Sequence, residues 1–189
     1  MSKLNIKKCI LVGNSLGGQI AWHYALMYPS KVEKLVLIDA AGLRYTSSKP
    51  PLAFRLARIP ILNQLLTKIT PRSVVRKSIE DVYSDKSLIT DNLIDRYLEL
   101  ALRKGNRQAM VVRLTTTIDY NKIPDLQKMY MPTLILWGND DKLIPVSSAS
   151  EFSTLIPNDT MVIIPNCGHV PMEECPIKSL QALRSFLRI

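Results

Sequence analysis

Short runs of apolar residues, separated by longer stretches of mixed polarity, indicate where the strands of this chain lie. Each run is rich in Val, Ile and Leu and ends at or beside a glycine, aspartate or proline. Strands that are buried on both faces have near-continuous apolar runs, so we expect a parallel sheet covered on both sides by helices. The predicted strands are residues 8–13, 34–39, 133–137 and 160–164.

Stretches between these runs have the spacing of helices. Apolar residues recur at helical intervals in residues 16–27, 147–155 and 176–187. The succession of strand, helix and strand over residues 8–39 is typical of a βαβ unit, whose two strands are parallel. The pattern therefore predicts an α/β fold, a parallel sheet with flanking helices.

Residues 43–125 differ from the rest because helical periodicity continues there without a comparable strand run. Three further helices are predicted, at residues 72–83, 90–104 and 107–118. The last two begin at capping or turn signals, at Thr90 and Gly105. We therefore predict a core formed by residues 1–42 and 126–189, with an inserted helical segment between them.

The composition is that of an ordinary soluble globular protein, with 189 residues, 47% hydrophobic and 22% charged. No apolar run is long enough to span a membrane, and the N-terminus lacks the features of a secretory signal. The three cysteines, Cys9, Cys167 and Cys175, form no C-x-x-C pair, which argues against a disulfide framework and a zinc site. We therefore expect a cytoplasmic protein.

The net charge of +9 raises the question of nucleic-acid binding. Most of the excess lies in residues 43–125, which hold 15 basic and 8 acidic residues. These basic residues are not interleaved with aromatics and glycines as in common RNA-binding modules. The distribution argues against a nucleic-acid partner.

Two interpretations of the basic segment stay open. A basic amphipathic helix can contact anionic lipid headgroups or acidic substrates at a membrane surface. The same pattern also fits a helix with an apolar underside and a solvated basic face. The residues concerned are Arg55, Arg58, Lys68, Arg72, Arg76 and Lys77.

A serine between glycines follows the first predicted strand, in the sequence Gly13-Asn14-Ser15-Leu16-Gly17. This G-x-S-x-G pattern at a strand-to-helix junction is the nucleophile elbow, in which a strained turn exposes the serine hydroxyl. Glycines on both sides are expected to let the turn close, and the N–H of Leu16 would face a developing oxyanion. The alternative is a tight glycine turn with an incidental serine.

A nucleophilic serine needs a base, and the base needs an acid to orient it. Of the two histidines, His23 lies in the helix after the elbow and is expected to be structural, whereas His169 follows the last predicted strand. Asp141 follows residues 133–137, with Asp140 as its neighbour and Asp39 as a more distant competitor. Functional residues of a parallel sheet gather at the carboxyl ends of its strands.

Three motifs in this order resemble the α/β-hydrolase superfamily, in the branch with a helical cap. Residues 137–145 resemble its W-G-x-x-D-x-x-x-P acid motif, and residues 168–176 resemble its G-H-x-P-x-x-E-x-P histidine loop. Residues 13–18 are similar to the elbow of meta-cleavage-product hydrolases and related esterases. The resemblance implies the triad Ser15, Asp141 and His169, and it implies that residues 43–125 form the cap.

The chain departs from the family at its start. Complete members have several strands before the elbow, and one of their loops supplies a second oxyanion N–H, whereas only seven residues precede Lys8 here. We therefore expect a partial α/β-hydrolase fold that lacks the N-terminal strands, with weak or no activity. Residues 8–13 would form an exposed sheet edge that is open to pairing.

The resemblance implies a serine hydrolase that cleaves an ester of a small molecule or lipid through an acyl-enzyme. It implies no metal and no organic cofactor, and a serine nucleophile disfavours dehalogenase and epoxide-hydrolase chemistry. Two alternatives stay open. One is a C–C bond hydrolase of the meta-cleavage-product type with the same triad; the other is an inactive fragment that acts as a binding or assembly partner.

Overall fold

A parallel sheet forms the centre of the protein. The computed structural model describes residues 2–43, 59, 64, 68–116 and 125–189. Within these residues the sheet has four parallel strands in chain order. They are β1 (Cys9–Asn14), β2 (Val32–Ile38), β3 (Thr133–Gly138) and β4 (Asp159–Ile164). The parallel α/β sheet predicted from the apolar runs is thus confirmed.

Helices cover both faces of the sheet. The described helices are α1 (Leu16–Met27), α2 (Arg72–Val82), α3 (Asp91–Leu102), α4 (Asn106–Thr115), α5 (Ser147–Leu155), α6 (Pro171–Glu174) and α7 (Pro176–Leu187). Short 3-10 turns lie at Ser2–Leu4, Pro29–Lys31, Lys86–Leu88 and Leu126–Lys128. Helix α6 was not predicted, since one turn is too short to show helical periodicity.

Successive residues of the inner strands supply two separate cores. Leu35 and Leu37 of β2 face the side covered by α1 and α5, together with Trp137 of β3. Val36 and Ile38 face the other side, where α7 covers them. Because side chains alternate across a strand, one continuous apolar run fills both cores.

Helices α2, α3 and α4 lie between β2 and β3 along the chain. Val75, Ile79 and Tyr83 pack with Ile94 and with Val170, which follows His169. The inserted segment therefore contacts the histidine loop. Residues 44–58, 60–63, 65–67 and 117–124 lie outside the described residues, so the cap boundaries at 43 and 125 stay a prediction.

Three of the predicted basic residues are paired with acids. Arg72 contacts Asp91 and Asp95, Arg76 also contacts Asp91, and Lys77 contacts Asp81 within its own helix. These carboxylates offset the positive charge of α2. Arg55 and Arg58 lie outside the described residues, and membrane contact stays a prediction. None of the described helices is both long and apolar enough to cross a membrane.

Strand β1 forms one edge of the sheet as far as the structure describes the chain. Its Ile10 and Val12 side chains are 41% and 52% exposed. An open edge with apolar side chains is a template for pairing with another strand. Among the described residues β1 thus lies at the edge of the sheet, while pairing at this edge stays a prediction.

Candidate active site

The turn between β1 and α1 holds Ser15 in a strained backbone conformation. Its φ is 53° and its ψ is −120°, a region that side chains other than glycine rarely adopt. The Ser15 N–H donates to the Ile38 carbonyl at 3.0 Å, and the N–H of Ala41 donates to the Ser15 carbonyl at 2.9 Å. These bonds to the end of β2 and beyond hold the turn against the sheet.

Glycine is required at two positions of this turn. A methyl group on Gly13 would collide with the backbone of Gly17, and one on Gly18 would lie 2.6 Å from the Cβ of Ala40. A methyl on Gly17 would meet nothing within 4 Å. The expectation of a steric need at both Gly13 and Gly17 was therefore wrong for Gly17, because a Cβ at that position would lie in open space.

Leu16 is the first residue of α1, directly after Ser15. The first N–H groups of a helix have no carbonyl partner within that helix. The Leu16 N–H therefore lies beside the serine with its helical hydrogen bond unfilled, the arrangement that an oxyanion donor needs.

Asp141 and His169 form a buried pair. The His169 Nδ1 lies 2.7 Å from Asp141 Oδ2, and their side chains are 5% and 0% exposed. The other oxygen, Asp141 Oδ1, accepts from the N–H of Leu143 at 2.7 Å and of Ile144 at 3.0 Å. This turn fixes the carboxylate, and the carboxylate directs the opposite nitrogen, Nε2, away from itself.

The motif residue Trp137 supports the same loop, since its Nε1 donates to the Ile144 carbonyl at 3.1 Å. The competing Asp140 points elsewhere and accepts from the Ser84 hydroxyl at 2.8 Å. His23 stacks on Trp22, with ring centroids 3.8 Å apart. Neither Asp140 nor His23 makes a hydrogen bond to the Asp141–His169 pair within the described residues.

Asn14 joins the serine turn to the histidine loop, a role that the sequence did not indicate. Its Nδ2 donates to the His169 carbonyl at 3.0 Å and to the Ile38 carbonyl at 3.2 Å. The structure thus brings Asn14, the residue before Ser15, against the His169 backbone, and no hydrogen bond joins the Ser15 hydroxyl to the His169 ring among the described residues. In enzymes without substrate this bond is often long and tightens when substrate binds.

Glu174 holds the histidine loop in place. Its two carboxylate oxygens accept from the N–H groups of Gly168 and Asp85, both at 2.6 Å. The His169 N–H donates to the Val82 carbonyl of α2 at 2.8 Å. The glutamate of the G-H-x-P-x-x-E-x-P motif is therefore structural, and it ties the loop to the inserted segment.

Glu173 makes a second connection to that segment. It accepts from the hydroxyls of Tyr83 and Tyr97 at 3.0 and 3.2 Å and pairs with Arg96. Burial, followed by the nearby Glu173 charge, raises the pKa of Tyr97 to about 12 and raises that of Tyr83. Both tyrosines therefore stay neutral donors at neutral pH.

The loop also lies directly against the end of β3, where Gly138 leaves no room for a side chain. A methyl on Gly138 would lie 2.5 Å from the Cys167 carbonyl oxygen and closer still to that of Gly168. We expect Gly138→Ala to lower the free energy of unfolding by about 1–3 kcal/mol or more, because backbone atoms must move apart.

Urea-induced unfolding of the variant and the wild type measures this effect. Gly17→Ala is the matched control, since its methyl meets open space in a helix and is expected to be neutral or to stabilise the protein by up to about 1 kcal/mol. Equal unfolding midpoints for Gly138→Ala and the wild type would contradict the tight contact.

Asp39 is a third buried acid at this edge of the sheet. It is 0% exposed, and its backbone φ is 42°. Its Oδ1 accepts from the Gly138 N–H at 3.0 Å, but no donor among the described residues reaches Oδ2. Burial, and next the Asp141 charge, raise the pKa of Asp39 to about 10. Asp39, which the sequence offers as an alternative acid for the triad, therefore has a raised pKa and does not share the hydrogen bonds of Asp141.

Asp39, Asp141 and His169 each place one ligand atom within 4.8 Å of the others, and these are residue types that can bind a metal ion. Two ligands of a tetrahedral zinc ion, each about 2.0–2.2 Å from the metal, are about 3.4 Å apart. The His169–Asp141 distance of 2.7 Å is shorter and matches a shared proton. These residues do not fit a metal ion bound between them.

Comparison with known proteins identifies relatives that share this architecture. Residues 2–180 match the profile of the alpha/beta hydrolase family. The chain is 27% identical to human monoacylglycerol lipase ABHD6, over 98% of this chain and 56% of that protein. It is 30% identical to 2-hydroxy-6-oxo-6-phenylhexa-2,4-dienoate hydrolase of Burkholderia cepacia, over 89% of this chain and 59% of that protein.

A crystal structure of a membrane phospholipase A, a bacterial virulence factor, superposes with a TM-score of 0.73 at 28% identity. The match covers 99% of this chain and 59% of that one. This chain therefore spans a little more than half the length of these three proteins. The family match includes the elbow, the acid loop and the histidine loop. The chain belongs to the alpha/beta hydrolase family.

Proposed function

We propose that this chain carries the catalytic triad of a serine hydrolase, with Ser15 as nucleophile, His169 as base and Asp141 as the acid that orients the base. The buried 2.7 Å contact between His169 and Asp141 carries the proposal, since it fixes the ring and leaves Nε2 for a hydroxyl. The strained turn at Ser15 and the Asn14 contact to the His169 carbonyl support Ser15 as the nucleophile of this triad.

The reaction proceeds in two steps. In the first, His169 Nε2 takes the Ser15 proton while the serine oxygen attacks the ester carbonyl carbon, and the Leu16 N–H stabilises the oxyanion. The imidazolium then protonates the leaving alcohol, which departs and leaves an acyl-serine. In the second step, His169 takes a proton from water, the resulting hydroxide attacks the acyl carbon, and the acid is released as Ser15 regains its proton.

The proposed substrates are esters of small molecules or lipids. Relatives that are named as a monoacylglycerol lipase and a membrane phospholipase A support this class. The relative from Burkholderia cepacia favours a second candidate, hydrolysis of a C–C bond in a vinylogous diketone, because it is 30% identical. Both reactions would use the same three residues.

Labelling of the full chain with a fluorophosphonate tests the proposal directly, because the probe reacts with an activated serine. We expect one adduct, located by tandem mass spectrometry to the peptide that contains Ser15, and none after heat denaturation. Turnover of p-nitrophenyl esters of increasing chain length, and of a vinylogous diketone, then separates the two substrate classes. No adduct on the folded chain would support the inactive-fragment alternative.

A further inference from the structure

We propose that Asp39 is held as a neutral carboxylic acid that donates its proton to Asp141, so that a hydrogen-bonded acid–carboxylate pair faces the His169 ring. The residue is buried at the end of β2, beside the turn of the proposed active site. The effect of Asp39 on catalysis rests on the proposed function, whereas the protonation of Asp39 does not.

Geometry assigns different roles to the two oxygens of Asp39. Oδ1 already accepts the Gly138 N–H at 3.0 Å, and Oδ2 is buried with no donor among the described residues. An ionised carboxylate here would leave a buried charge without a cation and next to another carboxylate. A proton on Oδ2 removes that charge and gives the oxygen a hydrogen bond.

Asp141 is the proposed acceptor of this proton. A carboxylate oxygen of Asp39 lies within 4.8 Å of one of Asp141 and of a ring nitrogen of His169. Asp141 already receives the N–H groups of Leu143 and Ile144 on Oδ1 and faces the His169 Nδ1 through Oδ2. A further donor to Asp141 would help to hold its carboxyl group in place beside the ring that it orients.

The titratable groups around Asp39 come from two loops and from helix α6. Asp141 follows β3, Cys167 and His169 lie in the histidine loop, and Glu174 lies in α6. The charges of Asp141 and Glu174 both act against ionisation of Asp39, in the same direction as burial. Burial also raises the pKa of the Cys167 thiol, which keeps that group neutral. No described cation offsets these effects on Asp39.

Asp39→Asn separates the proton from the shape of the side chain. The amide oxygen can accept the Gly138 N–H, and the amide nitrogen can donate to Asp141 at every pH. Burial and the Asp141 charge raise the pKa of Asp39 to about 10 in the folded state, against about 4 for an unperturbed carboxyl in the unfolded state. The contribution of this proton to stability is therefore complete below about pH 4 and is lost progressively between about pH 4 and 10.

Urea-induced unfolding of both proteins between about pH 5 and 9 tests the protonation without any need for activity. We expect the ratio of the wild-type unfolding constant to that of Asp39→Asn to rise with pH, by up to about tenfold per pH unit. The ratio is used because the neighbouring groups remain in both proteins. Asp125→Asn, at an exposed turn residue, is the matched control and should give a ratio that does not change with pH.

The positioning role is tested by ester turnover. We expect Asp39→Asn to keep kcat/KM within about threefold of the wild type, and Asp39→Leu, which cannot donate, to lose tenfold or more. Loss in Asp39→Leu with rescue in Asp39→Asn supports the role. Equal activity in both variants, or equal loss in both, overturns it.

A ratio of unfolding constants that is flat with pH overturns the neutral acid, and so does a ratio that changes when a chelator is added, since a cation would then occupy the site. If Asp39→Leu does not fold, the ratio of the wild-type unfolding constant to that of Asp39→Asn still tests whether Asp39 is protonated. If the wild type has no esterase activity, the proposed function fails, while the unfolding ratio still reports the state of Asp39.

Discussion

Ser15→Ala is expected to lower kcat/KM for ester hydrolysis by about 10⁴- to 10⁶-fold, since loss of the nucleophile removes the acyl-enzyme route. The fold should remain, because alanine removes only a hydroxyl that has no hydrogen bond among the described residues, and the backbone bonds to Ile38 and Ala41 persist. Fluorophosphonate labelling should disappear with the activity. Both are measured on protein whose circular dichroism spectrum matches the wild type.

Ser30→Ala is the matched control for this variant. Ser30 is exposed in the turn after α1, so its loss should leave both labelling and turnover unchanged. Full turnover in Ser15→Ala would show that another group performs the hydrolysis, and the assignment of the nucleophile would be wrong.

Asp141→Asn is expected to lower kcat by about 10⁴-fold, because an amide no longer stabilises the imidazolium and can hold the ring in the wrong tautomer. The amide oxygen can still accept the N–H groups of Leu143 and Ile144, so the loop should keep its shape. Steady-state kinetics with a p-nitrophenyl ester measure the effect, and KM is expected to change much less than kcat.

Asp140→Asn provides a stringent control, since it makes the same chemical change one residue away. Asp140 accepts hydrogen bonds from Ser84 and Asn139 and does not face His169. The activity of the Asp140→Asn variant should therefore stay within about threefold of the wild type. If Asp140→Asn lost the activity and Asp141→Asn kept it, the acid of the triad would be assigned to the wrong aspartate.

The strands were predictable from sequence because parallel strands buried on both faces need apolar side chains throughout. All six residues of β3 are buried, and its apolar run gave its position to within one residue. The apolar pattern does not distinguish Asp140 from Asp141. Two adjacent aspartates have the same composition, and in the structure their contacts distinguish them: Asp141 faces His169 Nδ1 and accepts from the N–H groups of Leu143 and Ile144, whereas Asp140 accepts from Ser84.

Contacts between distant residues could not be predicted. Nothing in the sequence indicates that Asn14 donates to the His169 carbonyl, because Asn fits many turns. The structural role of Glu174 follows from its two backbone donors, which the motif alone does not reveal. The protonation of Asp39 depends on burial and on the neighbouring Asp141, and both arise only when the chain has folded.

The Asn14 side chain bonds to a carbonyl that is 155 residues further along the chain. A ribosome adds about 5–20 residues per second, so about 8–30 s separate the synthesis of these two partners. During that interval the residues of the turn around Ser15 have no contact to His169. The bond that joins the serine turn to the histidine loop can therefore form only late in translation.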